Sequence, residues 1–218
     1  MKGKLIVFEG GEGGGKTTQM RQTCQWLRSR IAEKSLPYTD AIATREPGGT
    51  TLGKSLRQLL LEGEAIQSTT ELLLYAADRA QHVEEFLKPY LAQGAIVLCD
   101  RFTDSTIAYQ GYGRGLNLEL IAQLNQIATG GLQSDLTFWL DISAEAGLAR
   151  TQKRGLADRM EQADLAFHQR VLQGFAALYQ EYPERITRID ASASQTAVQT
   201  QIQQVLTERL QQWSDRDV

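Results

Sequence analysis

A glycine-rich segment near the amino terminus contains residues suited to binding phosphate. Gly10, Gly11, Glu12, Gly13, Gly14, Gly15, Lys16 and Thr17 match the pattern G-x-x-x-x-G-K-[ST], and Thr18 follows them. Glycines let successive backbone N–H groups turn towards phosphate oxygens, and a following helix adds its positive amino-terminal dipole. A glycine-rich surface turn is the alternative interpretation, but the Lys16-Thr17 pair between a predicted strand and a predicted helix favours a nucleotide-binding loop.

The same pattern assigns chemistry to two side chains. We expect Lys16 to reach the β- and γ-phosphates of ATP, and Thr17 to offer its hydroxyl to Mg²⁺. The loop alone fits a kinase, a motor-type ATPase or a GTP-driven switch. The sequence contains no N-K-x-D motif of the kind that reads guanine.

An acid followed at once by a base stands after the apolar run Ala95 to Cys99. Asp100 is suited to orienting Mg²⁺ through water, and Arg101 to binding a second phosphate group. An ordinary salt bridge is the alternative for Arg101. The pair favours a kinase that holds a phosphate donor and an acceptor face to face.

Five short apolar runs predict the strands that position these residues. They are Lys4 to Glu9, Tyr38 to Thr44, Ala95 to Cys99, Leu136 to Leu140 and Ile186 to Ile189. Helical periodicity separates them over Lys16 to Glu33, Leu52 to Leu61 and Ser68 to Leu91, with Ser68 and Glu71 read as a capping box and Gly94 past the last helix end. This alternation predicts an α/β fold, a five-stranded parallel sheet with helices on both faces and ligands at the carboxyl ends of its strands.

Composition narrows the class of protein. The 218 residues are 42% apolar and show no linker or repeat, so we expect residues 1–218 to form a single domain. A net charge of −3 without a basic stripe argues against nucleic-acid binding, and no apolar stretch approaches a membrane span. Cys24 and Cys99 read as buried free thiols, which fits a cytoplasmic protein.

The chain resembles the thymidylate kinase family over most of its length. The matching stretches are FEGGEGGGKTT at 8–18, TREPGGT at 44–50, YAADRAQ at 75–81, DRF at 100–102, STIAYQG at 105–111 and RGLADRMEQ at 154–162. The resemblance implies a P-loop NTPase fold of the nucleoside monophosphate kinase type with a short lid. It also implies transfer of the γ-phosphoryl group of Mg-ATP to thymidine monophosphate (dTMP) in a homodimer.

The resemblance assigns the acceptor site residue by residue. Arg45 and Arg101 would grip the acceptor phosphate, since a guanidinium can donate two parallel hydrogen bonds. Tyr75, where the family usually has phenylalanine, would stack on thymine, and Arg79, four residues later on the same helical face, would bind a thymine carbonyl. A solvated loop charge is the alternative for Arg45, and core packing is the alternative for Tyr75.

The segment after Asp100 would read the base and the sugar. The resemblance assigns Ser105, Thr106 and Gln110 to this segment, with Thr106 and Gln110 at the polar edge of the pyrimidine, and it places Tyr109 against the ribose 2′ position. Runner-up functions are another nucleoside or nucleoside monophosphate kinase, and a nucleotide-sensing switch or assembly ATPase without a small acceptor. Asp190 to Ser192, after the last strand, lie at the end of the sheet where adenine contacts are expected.

An acid within the phosphate loop indicates the bacterial type, in which catalytic arginines come from a lid. Glu12 is that acid, and it would touch the deoxyribose hydroxyl or Mg²⁺-bound water. The basic residues of the predicted lid, Leu148 to Met160, are Arg150, Lys153, Arg154 and Arg159. Arg154 beside Gly155 would meet the transferring phosphoryl group. A solvated helical face is the alternative, because acids interleave with these bases.

Overall fold

A five-stranded, fully parallel sheet carries the phosphate loop on its central strand. The computed structural model describes residues 2–62, 64–155 and 159–216, with backbone only for Arg154 and Arg216. The strand order is β2-β3-β1-β4-β5. The strands are β1 Lys4–Glu9, β2 Ala41–Arg45, β3 Ile96–Asp100, β4 Leu136–Asp141 and β5 Ile186–Asp190. The predicted fold class and all five strands are confirmed, although β2 begins after Tyr38.

Helices connect the strands and cover the sheet. They are α1 Lys16–Ala32, α2 Thr51–Glu62, α3 Ser68–His82, α4 Lys88–Ala92, α5 Thr103–Thr106, α6 Leu118–Thr129, α7 Ala144–Arg154, α8 Leu165–Glu181 and α9 Gln195–Arg216. The π-helical turn Val83–Leu87 joins α3 to α4, so the long helix predicted from Ser68 is continuous and contains one π-helical turn. A second π-helical turn, Ile107–Gly113, continues α5. Gly94, just past α4, has φ +81°, as expected for a helix end.

The prediction of a capping box formed by Ser68 and Glu71 at the start of α3 is wrong. The N-cap residue is Gln67, and no side-chain hydrogen bond caps the helix there. Glu71 is fully buried, and its carboxylate accepts hydrogen bonds from three side chains of other elements. A carboxylate that is removed from water needs hydrogen bonds from charged donors. These bonds stabilise Glu71 in its buried position more than a helix cap at the surface would.

Alternating side chains of β1 fill the cores on the two faces of the sheet. Ile6 and Phe8 pack with apolar residues of α1 and α9. Leu5 and Val7 pack on the other face with Val83 and its neighbours in the π-helical turn and α4. Burial on both faces fixes the strand register, because a slip of one residue would exchange the two sets. The carboxyl ends of β1 and β3, where Gly10 and Arg101 begin the loops, are thereby held in place.

Both cysteines are free and buried, as predicted. In the described ranges, no helix combines the length and the apolar character needed to span a bilayer.

Candidate active site

The phosphate loop adopts a backbone that specific glycines permit. Gly10 has φ +136°, and an added Cβ would lie 2.5 Å from the carbonyl oxygen of Leu140. Gly13 has φ +68°, and its Cβ would lie 2.1 Å from the carbonyl oxygen of Gly147 in α7. Both the positive φ and the close backbone approach exclude other residues. The loop therefore lies directly against β4 and α7, and it delivers Lys16 and Thr17 at the start of α1.

Lys16 and Thr17 occupy the positions that the motif predicts. Lys16 is buried, and its Nζ donates to the carbonyl oxygens of Gly10 and Gly11 at 3.1 and 2.6 Å. Burial, together with the nearby Arg101, lowers the pKa of the Lys16 ammonium group. The Thr17 hydroxyl donates to Asp100 Oδ2. The loop and the end of β3 thus bring a hydroxyl and a carboxylate into direct contact.

Arg101 is the centre of a polar cluster beside the phosphate loop. Its Nη2 donates to Glu12 Oε1 at 2.6 Å and to the Tyr109 hydroxyl at 2.9 Å. Its Nη1 donates to the Gly10 carbonyl and to Ser105 Oγ, both at 3.1 Å. The residue has φ +72°, a strained backbone conformation for a side chain of this size. Four acceptors hold the planar fork in one orientation, so Arg101 is more than a simple salt bridge.

Glu12 and Tyr109 complete this cluster. The Tyr109 hydroxyl donates to Glu12 Oε1 at 2.6 Å, and the Tyr109 ring lies under the Arg101 guanidinium at 4.7 Å. Burial alone would raise the pKa of Glu12. Arg101 and Lys16, together with the Tyr109 hydrogen bond, outweigh burial and hold that pKa at about 2. Glu12 is therefore a carboxylate at every physiological pH, and it compensates two cations of the site.

Glu9 is a component that sequence reasoning missed. It ends β1 and is fully buried. Its carboxylate accepts from the backbone N–H groups of Phe102 and Ser105 at 2.8 and 3.1 Å, and from Ser105 Oγ at 2.5 Å. Burial and the nearby Asp104 carboxylate raise the pKa of Glu9 to about 7. Through these hydrogen bonds, Glu9 fixes the turn that follows Arg101.

Arg79 lies in a buried network of hydrogen bonds and also lines the cavity described below. Its Nε donates to Glu46 Oε2 at 2.8 Å, and its Nη1 donates to Thr106 and Asn125 at 2.8 and 2.7 Å. Its Nη2 donates to the Phe102 carbonyl at 2.9 Å. A guanidinium has five N–H groups, so these bonds, taken over the described residues, use all but one. The contacts to Glu46 and Asn125 had no signal in the sequence, because both residues lie far from Arg79 along the chain.

The loop after β2 brings Arg45 and Glu46 to the same site. Arg45 is the exposed last residue of β2, and it lines the cavity described below. Glu46 is buried, and in addition to Arg79 it binds His82 Nδ1 at 2.9 Å. The other ring nitrogen of His82 is 2.7 Å from the Thr44 hydroxyl. These polar contacts tie the start of the Arg45 loop to α3.

One cavity joins the phosphate loop to the predicted acceptor site. Its volume is about 230 Å³. Of the predicted site residues, it is lined by Glu12, Gly13, Gly15, Lys16, Thr17, Thr18, Arg45, Tyr75, Arg79, Asp100, Arg101, Ser105, Thr106, Tyr109 and Gln110. Gly10, Gly11 and Gly14, although predicted, are not among the residues that line it. Tyr75 is half-buried and lines the cavity, so it is not part of the described hydrophobic cores.

The basic residues of the predicted lid bind different parts of the protein. Arg150, on α7, donates to the Ala191 carbonyl at 2.9 Å. Arg159 donates through Nε to the Leu60 carbonyl at 2.8 Å and through Nη2 to the buried Glu71. Lys153 is exposed. The side chain of Arg154 lies outside the described residues. Met160 and Glu161, at and just beyond the end of the predicted lid, line the cavity.

Comparisons with known proteins agree with this geometry. Residues 8–202 match the family model described as thymidylate kinase. A thymidylate kinase of Cyanothece sp. (strain PCC 7425 / ATCC 29141) is 59% identical, over 98% of this chain and 97% of the relative. One from Nostoc punctiforme (strain ATCC 29133 / PCC 73102) is 60% identical, over 94% of this chain and 96% of the relative. The chain belongs to the thymidylate kinase family.

A solved structure supports the same assignment at the level of the fold. The crystal structure of thymidylate kinase from Ehrlichia chaffeensis superposes with a TM-score of 0.76 and 35% sequence identity. The superposition covers 94% of this chain and 99% of that chain. The predicted P-loop NTPase fold and the predicted kinase class are therefore confirmed. Thymidylate kinases use ATP as the phosphate donor.

Proposed function

We propose that the cavity transfers the γ-phosphoryl group of ATP to the phosphate of dTMP, giving thymidine diphosphate and ADP. The observation that carries this proposal is the single cavity lined both by the phosphate loop and by Arg45 and Arg101. A phosphate loop that only hydrolyses or senses a nucleotide needs no second set of cations in its cavity. The two arginines in the same cavity are suited to an acceptor that is itself an anion.

The side chains of the site position the two substrates and neutralise their phosphate charges. They do not need to activate the acceptor. A phosphate acceptor is already ionised, so no strong general base is required. Lys16 neutralises charge on the donor phosphates, and Arg101 fixes the acceptor phosphate in line with them. The four acceptors around Arg101 hold its fork before substrate arrives. Positioning of this kind removes entropy from the reacting complex in advance.

Thr17 and Asp100 fit a magnesium ion. Mg²⁺ in phosphoryl-transfer sites keeps several waters and binds one or two protein oxygens together with substrate phosphates. The contacting hydroxyl and carboxylate of this pair provide hard oxygen donors beside the loop. Across the described ranges, no group of three or more His, Cys, Asp or Glu side chains forms a metal site of its own. Held there by Thr17 and Asp100, the ion would supply positive charge that neutralises the charge developing on the donor phosphates.

Tyr75, Arg79, Thr106 and Gln110 would form the thymine pocket, and Tyr109 would lie against the deoxyribose. Their common cavity supports this assignment. Residues 1–218 would act as one kinase domain with a lid at residues 148–160, in which Arg154 meets the transferring group. Met160 and Glu161 line the cavity, which supports a lid at this place. Closure of the lid would exclude water and so limit wasteful hydrolysis of ATP.

We further propose a cytoplasmic homodimer that binds no nucleic acid. Exposed apolar side chains on α3 and α6, Leu73, Leu120 and Ile127, support a contact through helices flanking the sheet. The two free cysteines fit a reducing compartment.

An acceptor panel tests the proposed function. Purified protein with Mg-ATP is assayed with dTMP, dUMP, CMP, AMP and thymidine, and the products are separated by chromatography. We expect dTMP to give the highest kcat/KM, with thymidine diphosphate as product. ATP hydrolysis at one steady rate, unaffected by any acceptor, would indicate a switch or an assembly ATPase and contradict the proposal.

A further inference from the structure

A buried carboxylate outside the phosphate sites contacts the predicted base-reading side chain. Glu71, in the first turn of α3, is fully buried. Its Oε1 accepts from Gln110 Nε2 at 2.9 Å. Arg114 donates to both oxygens at 3.3 Å, and Arg159 donates to Oε2. One carboxylate therefore accepts hydrogen bonds from two arginines and one amide.

The two arginines keep Glu71 ionised. Burial raises the pKa of this carboxyl group, but the hydrogen bonds from Gln110 and Arg159 and the charge of Arg114 outweigh burial and lower it. Arg114 is itself fixed, since its guanidinium lies 4.6 Å from the centre of the Phe167 ring. An ionised carboxylate only accepts hydrogen bonds. Whatever faces Glu71 must therefore be a donor.

This requirement decides the orientation of the Gln110 amide. The NH₂ end of a glutamine amide donates and its carbonyl end accepts. Since the NH₂ end is needed at Glu71, the carbonyl oxygen is directed away from it. Gln110 is 2% exposed and lines the cavity. No hydrogen bond formed within the described ranges involves its carbonyl oxygen.

We infer that Glu71 is a positioning residue for base selection, because it makes Gln110 present an acceptor to the pyrimidine. The inference rests on the proposed function. Thymine and uracil carry an N3–H donor, whereas cytosine has an acceptor at N3. A fixed acceptor on Gln110 can accept a hydrogen bond from N3–H of thymine or uracil. Facing N3 of cytosine, it makes a repulsive contact between two acceptors. A site with fixed polar groups can reject a mismatched partner strongly, because the mismatch leaves those groups unsatisfied.

The test compares dTMP with dCMP in the wild type and in Glu71→Gln. A glutamine at this position can donate or accept, so the Gln110 amide is free to turn. We expect kcat/KM for dTMP to fall about tenfold, mostly through KM, and the ratio of kcat/KM for dTMP to that for dCMP to fall about 100-fold. Glu84→Gln, which removes an exposed carboxylate of the π-helical turn after α3, is the matched control and should leave both values unchanged.

A double-mutant cycle separates positioning from a merely structural role. In a Gln110→Leu background, Glu71→Gln should change the selectivity ratio by less than about threefold, because the side chain through which Glu71 acts is gone. Equal losses for dTMP and dCMP in the single Glu71→Gln variant would overturn the inference while leaving the proposed function standing. Absence of dTMP phosphorylation in the wild type would instead overturn the proposed function.

If Glu71→Gln does not fold, a substrate analogue tests the acceptor role of Gln110, on which the inference depends. The 3-deaza analogue of dTMP has C–H in place of N3–H and nearly the same shape. We expect wild-type kcat/KM for this analogue to be about 100-fold lower than for dTMP, since the Gln110 carbonyl would lose its donor. Comparable values for the two acceptors would show that Gln110 does not present an acceptor.

Discussion

The buried Glu9 carboxyl predicts an unusual pH dependence of stability. Its pKa is raised from 4.5 to about 7 in the folded protein. The folded state therefore keeps a proton on Glu9 that the unfolded chain releases between these values. The contribution to stability is complete below pH 4.5 and is lost as pH rises through 7. At about 1.4 kcal/mol per pH unit, the full effect is about 3 kcal/mol, and most of it falls between pH 5 and 8.

Glu9→Gln removes this titration and keeps the shape of the side chain. The variant can still accept from the N–H groups of Phe102 and Ser105 through its carbonyl oxygen. Urea unfolding of both proteins is measured at pH 5, 6, 7 and 8. We expect the variant to gain about 2 to 3 kcal/mol relative to the wild type across this range. Parallel stability profiles of the two proteins would refute the raised pKa of Glu9.

Three further predictions concern the phosphate sites. Lys16→Ala should lower kcat by about 10³-fold or more while leaving the circular dichroism spectrum unchanged; near-normal turnover would contradict the role of Lys16. Gly13→Ala, whose Cβ would lie 2.1 Å from a backbone oxygen of α7, should raise the KM for ATP about tenfold and lower Tm; an unchanged KM and Tm would show that the loop tolerates a side chain. Tyr109→Phe removes the hydroxyl between Arg101 and Glu12, so kcat/KM for dTMP should fall about tenfold. In that variant the KM for ATP serves as the internal control, and an equal effect on both substrates would argue against an acceptor-side role.

The sequence predicted the features that depend on local patterns. Apolar runs located all five strands, since burial on both faces of a parallel sheet requires continuous apolar segments. The glycine pattern located the phosphate loop, because few other residues fit its positive φ angles. The acid and base after β3 could likewise be placed at the carboxyl edge from the strand order alone.

The remaining features depend on tertiary contacts between distant segments. Ser68 and Glu71 have the spacing of a capping box, yet Glu71 is drawn inward by partners that lie 39 to 88 residues away. Arg79 likewise donates to Glu46, Asn125, Thr106 and the Phe102 carbonyl, which lie 23 to 46 residues away along the chain. No spacing rule in one sequence reports such pairs. An acid at the end of an apolar strand, such as Glu9, does give a signal, because a buried carboxylate needs hydrogen-bond partners from elsewhere in the chain.

We propose that one cavity holds a nucleoside triphosphate and a second nucleotide anion at the same time. A bisubstrate ligand, in which adenosine and thymidine are joined through a chain of five phosphates, tests it most directly. We expect this ligand to compete with both ATP and dTMP in steady-state inhibition, and to bind more tightly than either substrate because both halves are held together. Competition with ATP alone, at an affinity no better than that of ATP, would contradict the claim.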